Sequence, residues 1–403
     1  MSSPPVLVVF SHLRWNFVYQ RPQHLLTRLG VHWRVVFVEE PRYDEGPARF
    51  EVSEIASNVT VLVPYTPILA AGFHDDQLAL LQPLLSTALR AFKLQVDVAW
   101  LYTPMALPLA KSLEPVCLVY DCMDELSAFK DAPRQLRQRE SALLKDAALV
   151  FTGGPSLYEV RRELHPSVHC FPSAVDSAHF SPANLDSHCS HAKSAAVLQD
   201  GLARPRLGFF GVIDERLDLE LVATIADHHP EWSVIMAGPV VKIDVRTLPR
   251  RPNIHWMGMQ PYERLPYLLS GWDVCLMPFA LNEATRFISP TKTLEYMAGG
   301  KPIVSTPVRD VISLYSAAVD VASAPLPFVQ ACEAVLIESV AARYQRNTEM
   351  LNAVSMNSWQ RISDSMNGLL QATLRRTRQQ LVSAKQPGRL HESAAATSFL
   401  SSR

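Results

Sequence analysis

Short apolar runs recur along the chain and alternate with stretches of helical periodicity. Pro5–Phe10 reads P-V-L-V-V-F. An unbroken β-branched and aromatic run of this kind predicts a strand covered on both faces, as in a parallel sheet. Similar runs stand at Arg34–Glu39, Asn58–Val63, Val96–Tyr102, Val116–Tyr120 and Leu149–Thr152. Helices are predicted over Gln23–Leu29 and from about Gln77 to Phe92. The first strand, loop, helix and second strand together make one right-handed βαβ unit. A second set of runs opens at Arg206–Val212, R-L-G-F-F-G-V, continues through W-S-V-I-M-A-G-P-V, and ends at Ile303 and Val304. The fold class is therefore α/β, in two domains.

Between the two sets the residues turn small and polar. That change predicts a first domain over 1–182, an interdomain linker over 183–205 and a second domain over 206–357. Trp359, Ile362, Met366, Leu369, Leu370 and Leu374 then recur at helical spacing, so 358–382 is predicted as one more helix with a single apolar stripe. The serine and alanine content of 383–403 predicts a disordered tail.

Glu283–Thr306, E-A-T-R-F-I-S-P-T-K-T-L-E-Y-M-A-G-G-K-P-I-V-S-T, carries the strongest chemical signal. Ser289 and Pro290 read as a helix start, because a serine hydroxyl caps free amides and proline suits the first helical position. Gly299, Gly300 and Pro302 read as its end. The first turn of such a helix presents unpaired N–H groups and a partial charge of about half a unit, a site for an anion. Thr291 and Lys292 fall in that turn. A lysine there opposes the helix dipole, so either a bound diphosphate justifies it or it is simply solvated.

P-T-K-T-L-E-Y-M-A-G-G-K-P-I-V-S-T resembles the donor-site segment of nucleotide-sugar glycosyltransferases of GT-B fold, in the bacterial family 4-like, group 1 branch. The resemblance implies two Rossmann-like, doubly wound domains facing a central cleft, with the acceptor on the first and the donor on the second. It also implies that the last helix crosses back to the first domain. In such enzymes the glutamate matching Glu295 holds the ribose of the donor nucleotide. The retaining branch has a second glutamate eight residues upstream; here Phe287 stands in that place and Glu283 lies four residues too early. C-F-P-S-A-V-D-S-A-H-F is similar to the segment that closes the first domain, with Ser173 and Ala174 replacing Asn and Gly.

Further site residues follow from position and resemblance together. The loop S-H-L-R-W-N-F-V-Y-Q-R-P-Q-H-L lies past a strand end, where ligands of open α/β sheets bind. It places His12, Arg14, Asn16 and Arg21 toward the acceptor, the alternative for His12 being a histidine that pins the loop. Gly211 lets phosphates approach the backbone. Arg216 resembles the basic residue that the family aims at the diphosphate; the alternative is an ion pair with Asp218 or Glu220. Gly238 ends a strand near the nucleotide, and Met257–Met259 resembles the segment near the base. Asp121 and Asp124 follow another strand, in a region that supplies a general base in some inverting members. Asp124 is the first candidate and Asp121 the second, unless both cap the helix entering at Glu125.

Composition narrows the class. At 403 residues and 48% hydrophobic content the chain suits two well-buried cores. A net charge of −1 gives no support for a nucleic-acid partner. No apolar run approaches the roughly 18 residues of a membrane span, and the start M-S-S-P-P lacks a basic n-region, so a cytoplasmic protein is expected. The R-R-T-R end of the last helix either grazes an anionic membrane face or is solvated; the oligomeric state does not follow from the pattern. Cys117, Cys122, Cys170, Cys189, Cys275 and Cys332 show neither C-x-x-C nor zinc spacing and are expected to be reduced and mostly buried. Metal-assisted departure of a diphosphate generally uses two aspartates separated by one residue, and the chain has no such pair, so no metal or cofactor is expected. The expected function is a metal-independent glycosyltransferase (hexosyltransferase). It would move sugar from a nucleoside diphosphate donor, uridine being the modal base of the wider group, to a saccharide or lipid-linked acceptor in cell-surface polysaccharide synthesis. The alternatives are a sugar-nucleotide epimerase and a non-catalytic nucleotide-sugar-binding scaffold.

Overall fold

The structure is a computed structural model and describes residues 3–130 and 132–384. Nine strands make the first sheet: β1 Val6–Ser11, β2 Arg34–Glu39, β3 Arg42–Tyr43, β4 Arg49–Ala56, β5 Val59–Thr66, β6 Val98–Leu101, β7 Cys117–Cys122, β8 Leu149–Thr152 and β9 Val168–Cys170. They lie in the order β3-β5-β2-β1-β6-β7-β8-β9, all parallel, with β4 added antiparallel to β5. Six strands make the second: β10 Arg206–Phe210, β11 Ser233–Ala237, β12 Ile254–Gly258, β13 Val274–Met277, β14 Ile303–Ser305 and β15 Asp320–Val321. Their order β12-β11-β10-β13-β14-β15 is wholly parallel and doubly wound.

The burial of the central strands explains why their sequences are continuous apolar runs. Leu7, Val8, Val9 and Phe10 of β1 are fully buried, Leu7 and Val9 in one core layer and Val8 and Phe10 in the other. Helices cover both faces, as a parallel sheet requires. β4 was not expected from the pattern. Only Phe50 and Ser53 of its eight residues are even partly covered, so it has no apolar face to announce it.

The expected linker 183–205 contains a helix that the pattern did not predict. Ser190–Gln199 is a helix that packs on the second domain through Ala195 and Gln199. Arg206 ties it down by donating to the carbonyls of Gln199 and Leu202 at 2.8 Å each. Its small, weakly amphipathic sequence hid it, since two buried side chains leave almost no periodic signal.

Trp359–Ala384 forms the last helix, and its stripe of Trp359, Ile362, Met366, Leu370 and Leu374 joins the core of the first domain. Trp33 Nε1 donates to Asn367 Oδ1 at 2.8 Å across that contact. The basic end is partly used in the same way, because Arg378 pairs with Asp97. Residues 385–403 of the expected tail lie outside the described residues. Among the described residues no single helix is long and apolar enough to cross a membrane. All six cysteines are free thiols, four of them buried, and burial pushes the Cys122 thiol up to about 12.

Met366 is fully buried where the last helix meets the first domain. Met366→Ala is expected to lower unfolding free energy by about 2–5 kcal/mol, read by urea denaturation. A change at exposed Gln379 is expected to stay within about 0.5 kcal/mol.

Candidate active site

The strand ends of the two sheets face each other across a cavity of about 530 Å³, within the range of small-molecule sites. On the second domain its floor is built by glycine. Gly211 follows β10 at φ +144°, and its amide donates to the Ala237 carbonyl at 2.9 Å. Gly238 follows β11 at φ +153° and donates to the Gly258 carbonyl at 2.8 Å. A Cβ on Gly238 would overlap the Gly211 carbonyl, and one on Gly211 would overlap the Lys292 side chain. Gly211 therefore leaves room for the Lys292 side chain, whose Nζ is 5.7 Å from the centre of the Phe209 ring, and Gly238 leaves room for the Gly211 backbone.

Lys292 belongs to the helix Thr291–Ala298. The expected start is corrected by one residue. Pro290 is the N-cap rather than the first helical residue, and no side chain caps the helix. Ser289 does not cap; its carbonyl instead accepts the Ser173 hydroxyl of the first domain at 2.8 Å. Proline offers no side-chain cap, so the amides of Thr291 and Lys292 stay open beside a cavity lined by Ser289, Pro290, Thr291, Lys292 and Glu295, while the Thr293 amide donates to the Pro290 carbonyl at 3.3 Å. Gly300 at φ +66° closes the other end, with Lys301 N–H on the Tyr296 carbonyl and Gly300 N–H on that of Met297.

The charges around this helix end are poorly matched. Lys292 makes no ion pair among the described residues; burial lowers its affinity for a proton, Glu295 opposes that, and Arg216 adds to it. Arg216 lines the same wall, and its guanidinium is gripped by both oxygens of buried Asp214, at 2.7–3.1 Å, rather than by Asp218 or Glu220. Asp218 instead caps the helix Leu219–His228 through the Leu221 amide. Glu295 is raised to about 7 by burial, which outweighs Lys292. Asp124, opposite on the first domain, is raised to about 6 by burial against the pull of Arg216 and Arg21. An anion placed among Lys292, Arg216 and the open amides would give Lys292 the partner it lacks among the described residues.

The first domain sorts the remaining candidates. Asp121 is fully buried and spends both oxygens on Arg21, at 3.0 Å each, so it does not reach the cavity as a base would. Arg21 touches the cavity wall, but its guanidinium is committed to Asp121 and to the Phe171 carbonyl. Arg14 binds Glu39 at 3.1 Å and the Glu40 carbonyl, which pins the loop; it does not line the cavity. His12 is likewise outside the lining. Burial and then Lys242 lower it to about 4, while the Tyr102 backbone holds it against them. Asn16 does line the cavity. Asp124 also does, and no side chain caps the turn that enters at Glu125.

Several lining residues carried no signal in the chain. Tyr19 of the first domain stacks on Tyr262 of the second with ring centres 4.6 Å apart, and Tyr262 stacks in turn on His179 at 4.1 Å. Only their meeting across domains makes them part of the site, and no spacing reports that. Met259 lines the cavity in the segment expected near the base. Phe287, at the position of the missing glutamate, packs against the first domain's core, while Glu283 is exposed and pairs with Arg286.

Comparison with known proteins agrees with this geometry. Residues 204–341 match the family model described as Glycosyl transferases group 1. TuaH of Bacillus subtilis (strain 168), whose name assigns it to teichuronic acid biosynthesis as a glycosyltransferase, is 27% identical over 259 residues. That alignment spans 58% of this chain and 62% of the relative, short of two thirds of its length. Sucrose-phosphate synthase from Thermosynechococcus elongatus shares the fold with a TM-score of 0.67 at 15% identity, over 95% of this chain and all of that one. Anabaena HepE, solved in complex with UDP and glucose, has a TM-score of 0.65 at 13% identity, over 91% of this chain and all of that one. With an uncapped helix end beside a lysine on a doubly wound sheet, the chain has the GT-B fold, and its residues 204–341 match the group 1 glycosyltransferases.

Proposed function

We propose that the protein transfers a hexosyl group from a nucleoside diphosphate sugar, a UDP-sugar in the first instance, to a saccharide or lipid-linked acceptor in cell-surface polysaccharide synthesis. One observation carries the reading: Lys292, Arg216 and the uncapped start of the 291–298 helix converge on one wall of the interdomain cavity. Fixed cations and amides of this kind stabilise the charge that grows on a departing diphosphate, with no metal required. Glu295, one turn further on the same helix and lining the same cavity, would hold the ribose hydroxyls. The UDP bound by the Anabaena relative and the name of the Bacillus one support uridine and a cell-envelope polymer.

In the transfer, the bond from the sugar's anomeric carbon to the diphosphate breaks and one to the acceptor oxygen forms. The acceptor's proton goes to Asp124, which at neutral pH is largely ionised yet held in a buried site that favours protonation. The diphosphate leaves with the bonding electron pair toward Lys292 and Arg216. Tyr19, Asn16 and the loop between them line the acceptor side.

A thermal-shift comparison of UDP-, GDP- and ADP-sugars tests donor binding. The matching nucleotide at a hundred times its dissociation constant is expected to add about 2.7 kcal/mol of stability. Lys292→Ala is expected to lower kcat about 100- to 1,000-fold, and Asp124→Asn about 100- to 10,000-fold. Turnover that survives both changes would end both residue assignments, a parent chain that binds the sugar nucleotide without turnover would point to a scaffold, and product formed without an acceptor would point to an epimerase. Activity unaffected by EDTA is expected; loss restored by manganese would contradict the metal-free route.

The pH profile tests the base separately. Asp124 is protonated below about 6, so turnover is expected to rise with pH through about 6 and then level. Asp124→Asn removes that limb, whereas an unchanged limb would reassign it to another group.

A further inference from the structure

The helix Pro155–Arg161 of the first domain begins after Gly154, a residue with no side chain to cap it. The cap comes from the other domain. Asp310, second residue of the helix Arg309–Tyr315, accepts the Ser156 amide on Oδ1 at 3.0 Å. It is 1% exposed, and burial raises its carboxyl against the bonds from Ser156. Burying a carboxylate at that depth is costly unless donors meet it; the Ser156 amide meets Oδ1, while Oδ2 has no hydrogen-bond partner among the described residues.

The surroundings leave the contact no slack. A Cβ on Gly154 would overlap Asp310 Oδ2 and stand 2.8 Å from the Ser289 Cβ. Gly153, the preceding residue, lines the cavity, and a Cβ there would sit 2.5 Å from the Met123 carbonyl, next to Asp124. Ser173 completes the junction through its bond to the Ser289 carbonyl. One side of this junction therefore leads within a residue or two to Asp124, and the other to Pro290 and Lys292.

We propose that Asp310 is a positioning residue that closes the cleft: by capping a helix of the opposite domain it sets the separation of Asp124 from the 291–298 helix. The kinetic consequence rests on the transferase reading; the closure itself does not. Donor-binding groups all sit on the second domain, so opening the junction leaves donor affinity intact while spoiling the alignment of acceptor and donor.

The experiment compares Asp310→Asn with Asp310→Ala in the full chain. Asparagine keeps a carbonyl oxygen that accepts the Ser156 amide, and alanine does not. Small-angle scattering and hydrogen exchange are expected to show Asp310→Asn as compact as the parent. Asp310→Ala is expected to have a larger radius of gyration and a faster-exchanging Ser156 amide. Its kcat falls by up to about 100-fold with donor KM unchanged, as misplacement of reacting groups predicts, and Asp310→Asn restores it. Gly154→Ala, which wedges the same contact apart with the carboxylate retained, is expected to open the chain likewise and covers the case in which Asp310→Ala does not fold. Unchanged scattering and exchange in Asp310→Ala and Gly154→Ala would overturn the proposal, as would asparagine behaving like alanine. A parent chain without transferase activity would sink the transferase reading but leave the scattering and exchange comparison decisive for closure.

Discussion

The arrangement depends on one uncompensated charge. Lys292 lies against Gly211 at the start of a helix that no side chain caps, and among the described residues no carboxylate pairs with it. An ammonium at that end of a helix adds to the dipole instead of offsetting it. Such a site is unfavourable for the protein alone, and the proposed diphosphate would supply the missing partner.

Contrast within the same molecule sharpens the point. Arg21 is satisfied by Asp121 in a buried bidentate pair, and Arg161 by Glu125 and Glu140 at 2.6 and 2.8 Å. Those pairs fasten loops and helices at the strand ends of the first domain. At the cavity, Lys292, Glu295 and Asp124 lack ion-pair partners among the described residues, and two of them are carboxylates raised toward neutral pH. Groups left unmatched where others nearby are matched mark the place where chemistry, rather than folding, sets the requirement.

Much of the fold was legible because its strands are buried on both faces. β1, β2, β8, β10 and β11 announce themselves as apolar runs, and the stripe on the last helix announces its docking face. Solvent-facing β4 and the alanine-rich helix Ser190–Gln199 gave no such signal. At the site, the helix with Lys292 was legible from its punctuation by proline and glycine, although the cap was placed one residue early. What the chain did not report was pairing at a distance. Arg21 and Asp121 lie 100 residues apart, and spacing alone does not distinguish a cation spent on a carboxylate from one aimed at substrate. Tyr19 and Tyr262 escaped notice for the same reason.

The central claim is that this helix start and its lysine hold a diphosphate. Calorimetric titration of the parent chain and of Lys292→Gln with uridine and with UDP tests it most directly. The account predicts that UDP binds the parent far more tightly than uridine does and that the gap collapses in Lys292→Gln, while uridine binding stays the same. Equal affinity for the two ligands, or a gap that survives the substitution, would contradict it.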